Sequence, residues 1–232
     1  MIFNMANVCK YYGNTEVLNN FSVTVKTEEI VCIIGPSGCG KSTILNLISG
    51  LVEPSAGEVA NYSTAISYVF QEDRLLPWRN VYENIHIVNQ NCSTKNCLNL
   101  IKDVGLQGFE GHYPSELSGG MRQRCSLARA FNFEADLLLM DEPFKSLDYN
   151  LRIEMISLLL KLWDSTKKTI VFVTHEIDEA LLLGDRIVLL SSRPTKIVKE
   201  FKITAPKKCR KLADLQMVQI RSEIIKSFQA GI

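Results

Sequence analysis

Gly35-Pro36-Ser37-Gly38-Cys39-Gly40-Lys41-Ser42-Thr43 decides the fold. It follows the apolar run Ile30-Val31-Cys32-Ile33-Ile34 and opens a stretch of helical spacing from Thr43 to Ile48. The pattern is G-x-x-x-x-G-K-[ST] in its strand–loop–helix setting, which an ordinary glycine-rich turn does not require. Backbone N–H groups of such a loop form a concave anion nest, and the helix N-terminus adds partial positive charge. Lys41 is placed to reach β- and γ-phosphates, and the Ser42 hydroxyl is a Mg²⁺ donor. The nine residues from Gly35 to Thr43 therefore predict a nucleoside-triphosphate site.

Working outward, further short stretches follow in order. Gln71 lies in Val69-Phe70-Gln71-Glu72, and Leu117-Ser118-Gly119-Gly120-Met121-Arg122-Gln123-Arg124 comes next. Leu137-Leu138-Leu139-Met140-Asp141-Glu142-Pro143 joins an apolar run to two carboxylates. Ser146-Leu147-Asp148 and Val173-Thr174-His175-Glu176 complete the set. A carboxylate ending a buried strand can hold Mg²⁺, and a neighbouring one can take a proton from an attacking water. A lone histidine after a strand is more often structural. Each stretch is weak alone, but six in this order are specific.

In that order the set resembles the nucleotide-binding subunit of ATP-binding cassette (ABC) transporters, over about Val8 to Thr195. The resemblance implies an α/β P-loop NTPase core with a mainly parallel sheet, an N-terminal antiparallel β-subdomain and an inserted helical subdomain. It implies one nucleotide-binding domain over residues 1–232. Residues 1–71 and 132–205 would form the core and β-subdomain, 72–131 the helical subdomain, and 206–232 a C-terminal helix. The implied reaction is ATP + H₂O → ADP + phosphate, with Mg²⁺ as cofactor. Residue by residue, Glu142 matches the catalytic base and Asp141 a metal carboxylate. Gln71 matches the residue that senses metal and water, and His175 the switch histidine on the γ-phosphate. Tyr12 stands where the family places an aromatic on adenine, and Tyr11 is the alternative stacker. Ser118, Gly119 and Gly120 would close over the γ-phosphate held by a second copy or a homologous cassette, and Asp148 would tie the two sites together. Two positions depart from the commonest pattern: Met121 stands for glutamine, and Lys145 for a small residue.

The segment Phe70-Gln71-Glu72-Asp73-Arg74-Leu75-Leu76-Pro77-Trp78-Arg79-Asn80-Val81 looks like the importers of nitrate, sulfonate, taurine and related small solutes. Exposed Leu75, Leu76 and Trp78 would suit a groove receiving a permease's coupling helix; packing within the helical subdomain is the alternative. The implied partners are an integral-membrane permease and, indirectly, a solute-binding protein, with this chain at the cytoplasmic face. A soluble ABC-type ATPase of repair, translation or cofactor assembly is the other class. It fits less well, because the chain carries one cassette and no long coiled-coil insertion.

Size and charge agree with these expectations. A chain of 232 residues buries roughly 70–75% of its unfolded surface, enough for a full core. It is 46% hydrophobic and 22% charged, the composition of a globular protein. Twenty-six basic and 25 acidic residues leave a net charge of +1 and no general pull towards nucleic acid. No apolar run approaches the roughly 18 residues of a membrane span, and the first residues lack a secretion signal. The seven cysteines are scattered without a C-x-x-C pair, so reduced thiols are expected. Cys92, Cys97 and His86 fit no common zinc spacing.

Phe21-Ser22-Val23-Thr24-Val25 alternates as a half-buried strand does, and pairs in expectation with Ile2 to Val8. Short strands are expected at 57–59 and 66–70, with a trimmed turn over 60–64. Helical patterning is expected from Glu72 to Phe131, then strands at 137–140, 169–173 and 187–190 alternating with helices at 151–163 and 178–183. The tail, Lys207-Lys208-Cys209-Arg210-Lys211 followed by amphipathic 212–228, reads as a solvated charge run before a packed helix, with a membrane or partner contact as the alternative.

Overall fold

The computed structural model describes residues 1–229. They fall into two compact units: Met1–Thr64 with the chain from Lys167 onward, and Ala65–Thr166. In chain order the first unit opens with strands β1 (Phe3–Tyr12), β2 (Thr15–Val25) and β3 (Ile30–Ile34), helix α1 (Lys41–Ile48) and strand β4 (Ala56–Asn61). The second holds strand β5 (Ile66–Val69), helices α2 (Val81–His86), α3 (Thr94–Asp103) and α4 (Gly119–Asn132), strand β6 (Leu137–Asp141) and helix α5 (Tyr149–Thr166). The chain then returns to the first unit as β7 (Thr169–Thr174), α6 (Ile177–Leu183), β8 (Arg186–Leu190), β9 (Ile197–Lys202) and α7 (Leu215–Gln229).

In the first unit an antiparallel sheet has the order β2-β1-β4. Its register sets Phe3 opposite Val25 and Met5 opposite Val23, so the alternating apolar positions of β2 share one buried face while Ser22 and Thr24 stay exposed. β3 is buried at all five positions and pairs in parallel with β7 and β8. A strand covered on both faces reads as a continuous apolar run, which is why the pattern before the glycine-rich loop lacks alternation. β9 adds antiparallel to β8. Its sequence, Ile197-Val198-Lys199-Glu200-Phe201-Lys202, gives no clear strand signal and was not expected. Its exposed Lys199, Glu200 and Lys202 suit an edge strand.

In the second unit β5 and β6 pair in parallel, Ile66 opposite Leu137 through Val69 opposite Met140. β5 is therefore no part of the antiparallel sheet that precedes it in sequence. The expected helical stretch is interrupted: residues 71–80 are irregular, and α2 begins only at the Asn80 cap. There the Asn80 side chain accepts from Glu83 N while the Glu83 carboxylate accepts from Asn80 N, a capping box that turns the chain into helix.

Within the first unit the tail packs against α6. α7 buries Met217, Ile220 and Ile224, one stripe of helical spacing, and Arg221 pairs with Asp178 of α6 at 3.2 Å. The basic run before it is solvated only in part: Lys208, Cys209 and Lys211 are exposed as expected, but Lys207 and Arg210 are not. Lys207 is ion-paired to Asp185, and Arg210 is only 8% exposed. The Arg210 guanidinium donates to the carbonyls of Leu181, Leu182 and Gly184, closing the C-terminal end of α6. Residues 230–232 of the expected C-terminal helix lie outside the described residues.

Candidate functional site

β3 delivers the chain to the glycine-rich loop, and α1 starts at Lys41 behind Gly40. Gly40 sits at φ +118°, and a Cβ there would come within 2.7 Å of Val17 Cγ1, so only glycine fits. α1 has no side-chain N-cap and no acidic residue in its first turn. Its first N–H groups are thus available to an anion, and no acid of its own first turn competes for them. The buried Lys41 side chain folds across the loop, donating from Nζ to Gly35 O (2.9 Å) and Pro36 O (3.1 Å). Ser37, Gly38 and Ser42 remain exposed at the mouth. The Cys39 thiol is buried, and burial pushes its pKa up against the opposing pull of Lys41. Thr195, which no motif singles out, is fully buried and donates its hydroxyl to the Cys39 carbonyl, bracing the loop from behind.

Tyr12 ends β1 with its ring half exposed and Lys10 Nζ 5.1 Å from the centroid. Tyr11, the alternative stacker, commits its hydroxyl to Glu16 Oε1 at 2.9 Å. His175 follows β7 with an exposed side chain, its Nε2 3.7 Å from Glu176 Oε1. Behind it Thr174 donates its hydroxyl to Glu179 at 2.6 Å and accepts from Glu176 N at 3.0 Å, which shapes the turn that presents the imidazole.

The second unit carries the remaining expected residues. Gln71 leaves β5 exposed. Asp141 ends β6, and its carboxylate is a minor cause, after burial, of the raised Tyr68 phenol pKa. Glu142 follows at φ +44°, and its Oε2 lies 2.9 Å from Lys145 Nζ, with the glutamate side chain largely buried. Gln123, also missed in the sequence, donates from a buried amide to Pro143 O at 2.7 Å and fixes the turn after those carboxylates. Ser118 is the N-cap of α4, accepting from Met121 N at 3.3 Å, and that helix too lacks an acid in its first turn. A Cβ on Gly120 would lie 2.8 Å from Leu151 Cδ2, so the glycine lets α4 and α5 approach closely. Asp148 accepts from Leu151 N at 3.0 Å, the bond of a cap on α5.

Beyond Gln71, the expected exposed trio divides. Trp78 is 70% exposed and Leu76 partly so, but Leu75 is buried because the loop turns it inward. The loop is held by the fully buried Asn84, which accepts from Leu76 N at 2.8 Å and donates to the carbonyls of Leu76, Arg79 and Asn80. A polar side chain at a helix position otherwise apolar was the available signal for Asn84. Among the described residues, no three His, Cys, Asp or Glu side chains are arranged to hold a metal.

The uncapped α1, the inward Lys41 and the absence of first-turn acid fit a polyphosphate. Ser42 hydroxyl, Asp141 carboxylate and Gln71 amide are hard oxygen donors of the kind Mg²⁺ takes together with phosphate oxygens. Residues 18–145 match the ABC transporter family. The chain is 45% identical over 187 residues to the aliphatic sulfonates import ATP-binding protein SsuB 1 of Rhodococcus jostii, covering 78% of this chain and 76% of that one. It is 38% identical over 246 residues to SsuB of Bacillus cereus, spanning 100% and 97% of the two chains. The taurine import ATP-binding protein TauB of Rhizobium johnstonii is 38% identical over 92% of this chain and 89% of its own. Among solved structures, the dimeric post-hydrolysis state of the ATP-binding cassette MJ0796 bound to ADP and Pi superposes with a TM-score of 0.74 at 31% identity, covering 88% of this chain and 100% of that one. The chain belongs to the ABC transporter family, as its ATP-binding, ATP-hydrolysing cassette.

Proposed function

We propose that this cassette drives an importer for a small solute of the nitrate, sulfonate and taurine class, docked on the cytoplasmic side of a separate permease. The observation that carries the importer reading is near-full-length similarity to cassettes named for sulfonate and taurine import. No helix among the described residues is long and apolar enough to cross a membrane; in this reading the membrane passage belongs to a separate permease. A solute-binding protein would select the solute, which never meets this subunit.

Lys41 and the N–H groups of residues 37–43 would hold the β- and γ-phosphates, while the Tyr12 face stacks on adenine. Ser42, Asp141 and Gln71 would hold Mg²⁺, which when bound balances phosphate charge. Glu142 would take a proton from the attacking water, with Gln71 and His175 orienting water and γ-phosphate. Ser118 and the N–H groups of Gly119 and Gly120, at an uncapped-by-acid helix start, would close on the γ-phosphate held by a second copy. Dimeric cassettes among the similar structures support that arrangement. Asp148 would reach across the seam, and its cap on α5 keeps it at the surface for that contact.

Glu142→Gln tests the chemistry. It is expected to bind ATP and dimerise with it, while turnover falls by about 10²-fold or more; turnover near the native rate would remove Glu142 from the base role. Affinity capture from detergent-solubilised native membranes tests the transport reading. A co-purifying polytopic permease supports it, and exclusively soluble partners would favour a non-transport ABC ATPase.

A further inference from the structure

The guanidinium of Arg122 joins two loops that the proposed function uses separately. Its Nε donates to Asp73 Oδ2 at 2.9 Å, two residues beyond Gln71, and its Nη1 donates to Leu117 O at 2.7 Å, immediately before Ser118. Two turns further along α4, Arg129 donates from Nη1 to Arg74 O (3.0 Å) and from Nη2 to Asp73 O (3.1 Å). The gripped segment is held in an unusual conformation. Arg74 lies at φ +45°, its guanidinium sits 3.7 Å from the Phe70 ring centroid, and Asp73 Oδ1 accepts from Leu75 N at 3.3 Å. A left-handed non-glycine residue is strained and persists only where its surroundings over-determine it. The two arginines supply part of that constraint.

We infer that Arg122 and Arg129 are positioning residues that make residues 73–74 and the start of α4 one mechanical element, so that force on the loop carrying Trp78 reaches Ser118 directly and not only through Gln71. The role needs a planar fork whose two donors are fixed relative to each other; a lysine ammonium carries the charge but cannot hold both acceptors in that geometry. Its functional consequence rests on the cassette reading of Ser118.

The test perturbs one end and reads the other, without nucleotide. Amide hydrogen exchange is measured on the full chain, native and Asp73→Asn. Removing the charge at Asp73 is expected to speed exchange at Leu117, Met121 and Arg122 by about two- to fivefold, the scale of one part-exposed ion pair. Arg122→Lys should reproduce the effect, and Asp73→Asn combined with Arg122→Lys should add little to either. Change confined to residues 73–76, or additive effects in the double variant, overturns the inference. In parallel, Asp73→Asn should lower kcat for ATP hydrolysis with KM for ATP unchanged, since the phosphate loop lies in the other unit. An inactive native protein would count against the ATPase assignment while leaving the exchange result to judge the clamp.

Discussion

Cys39 shows how a single side chain's surroundings set its chemistry. The thiolate is the reactive form, and burial raises the proton affinity of this thiol beyond what Lys41 offsets. Alkylation by N-ethylmaleimide is therefore expected to be slow at neutral pH and to accelerate steadily as pH rises past the usual thiol range. Loss of ATPase activity should follow the same rate, and saturating ATP should suppress both. Mass-spectrometric mapping of the modified cysteine checks this, because exposed Cys209 will react first and without inhibition. Gly40→Ala belongs to the same scale. With φ at +118° and Val17 in the way, it should cost about 1–3 kcal/mol in urea unfolding and weaken nucleotide binding more than it weakens the fold. The glycines and Lys41 could be singled out by their spacing behind an apolar strand, whereas Asp141, Glu142 and His175 were singled out by resemblance to the family's motif series, and their roles remain proposals. Thr195 was not, since it meets Cys39 across 156 positions of chain and carries no pattern of its own.

At the scale of elements, the sequence spoke clearly wherever one segment's periodicity settled its burial. The apolar runs of β3, β6 and β7 and the alternation of β2 appear as read. It misled where two segments decide together. Lys207-Lys208-Cys209-Arg210-Lys211 looks like a solvated charge run, because nothing local reveals that Asp185 and the carbonyl end of α6 lie beside it. Replacing Arg210 with methionine keeps the aliphatic bulk and leaves those carbonyls without their donor. The expected cost is about 1–3 kcal/mol, read as a lower urea midpoint at unchanged slope. Leu75 was expected at the surface and is buried, since the Asn84 amide, and not local polarity, shapes the loop from Leu76 to Asn80. Asn84→Ala should loosen that loop selectively, seen as faster exchange at Leu76 and greater proteolysis between Leu76 and Asn80.

For the whole molecule, ligand binding and partner binding are the relevant energies. Nucleotide that binds only the native state at about 100 times its Kd adds about 2.7 kcal/mol of stability. A thermal shift that rises with ATP concentration and vanishes in Lys41→Ala would show that the phosphate loop is where this energy enters. Trp78, 70% exposed in the segment that follows Gln71, is the expected permease contact. Trp78→Glu should leave the cassette's own ATP hydrolysis intact and uncouple it from uptake in a reconstituted complex; unchanged uptake would return Trp78 to the ordinary surface.

By itself the sequence determined the class of fold, the phosphate loop and the order of the family's short motifs, because anion binding by a helix start and a buried strand's apolar run are properties of contiguous residues. Only the tertiary structure decided the edge strand β9, the pairing of β5 with β6, the Arg210 cap, and the grip of Arg122 and Arg129 on residues 73–74. Each of these is a hydrogen-bonded contact between segments distant in the chain, and its partners carry no shared period by which either could announce the other.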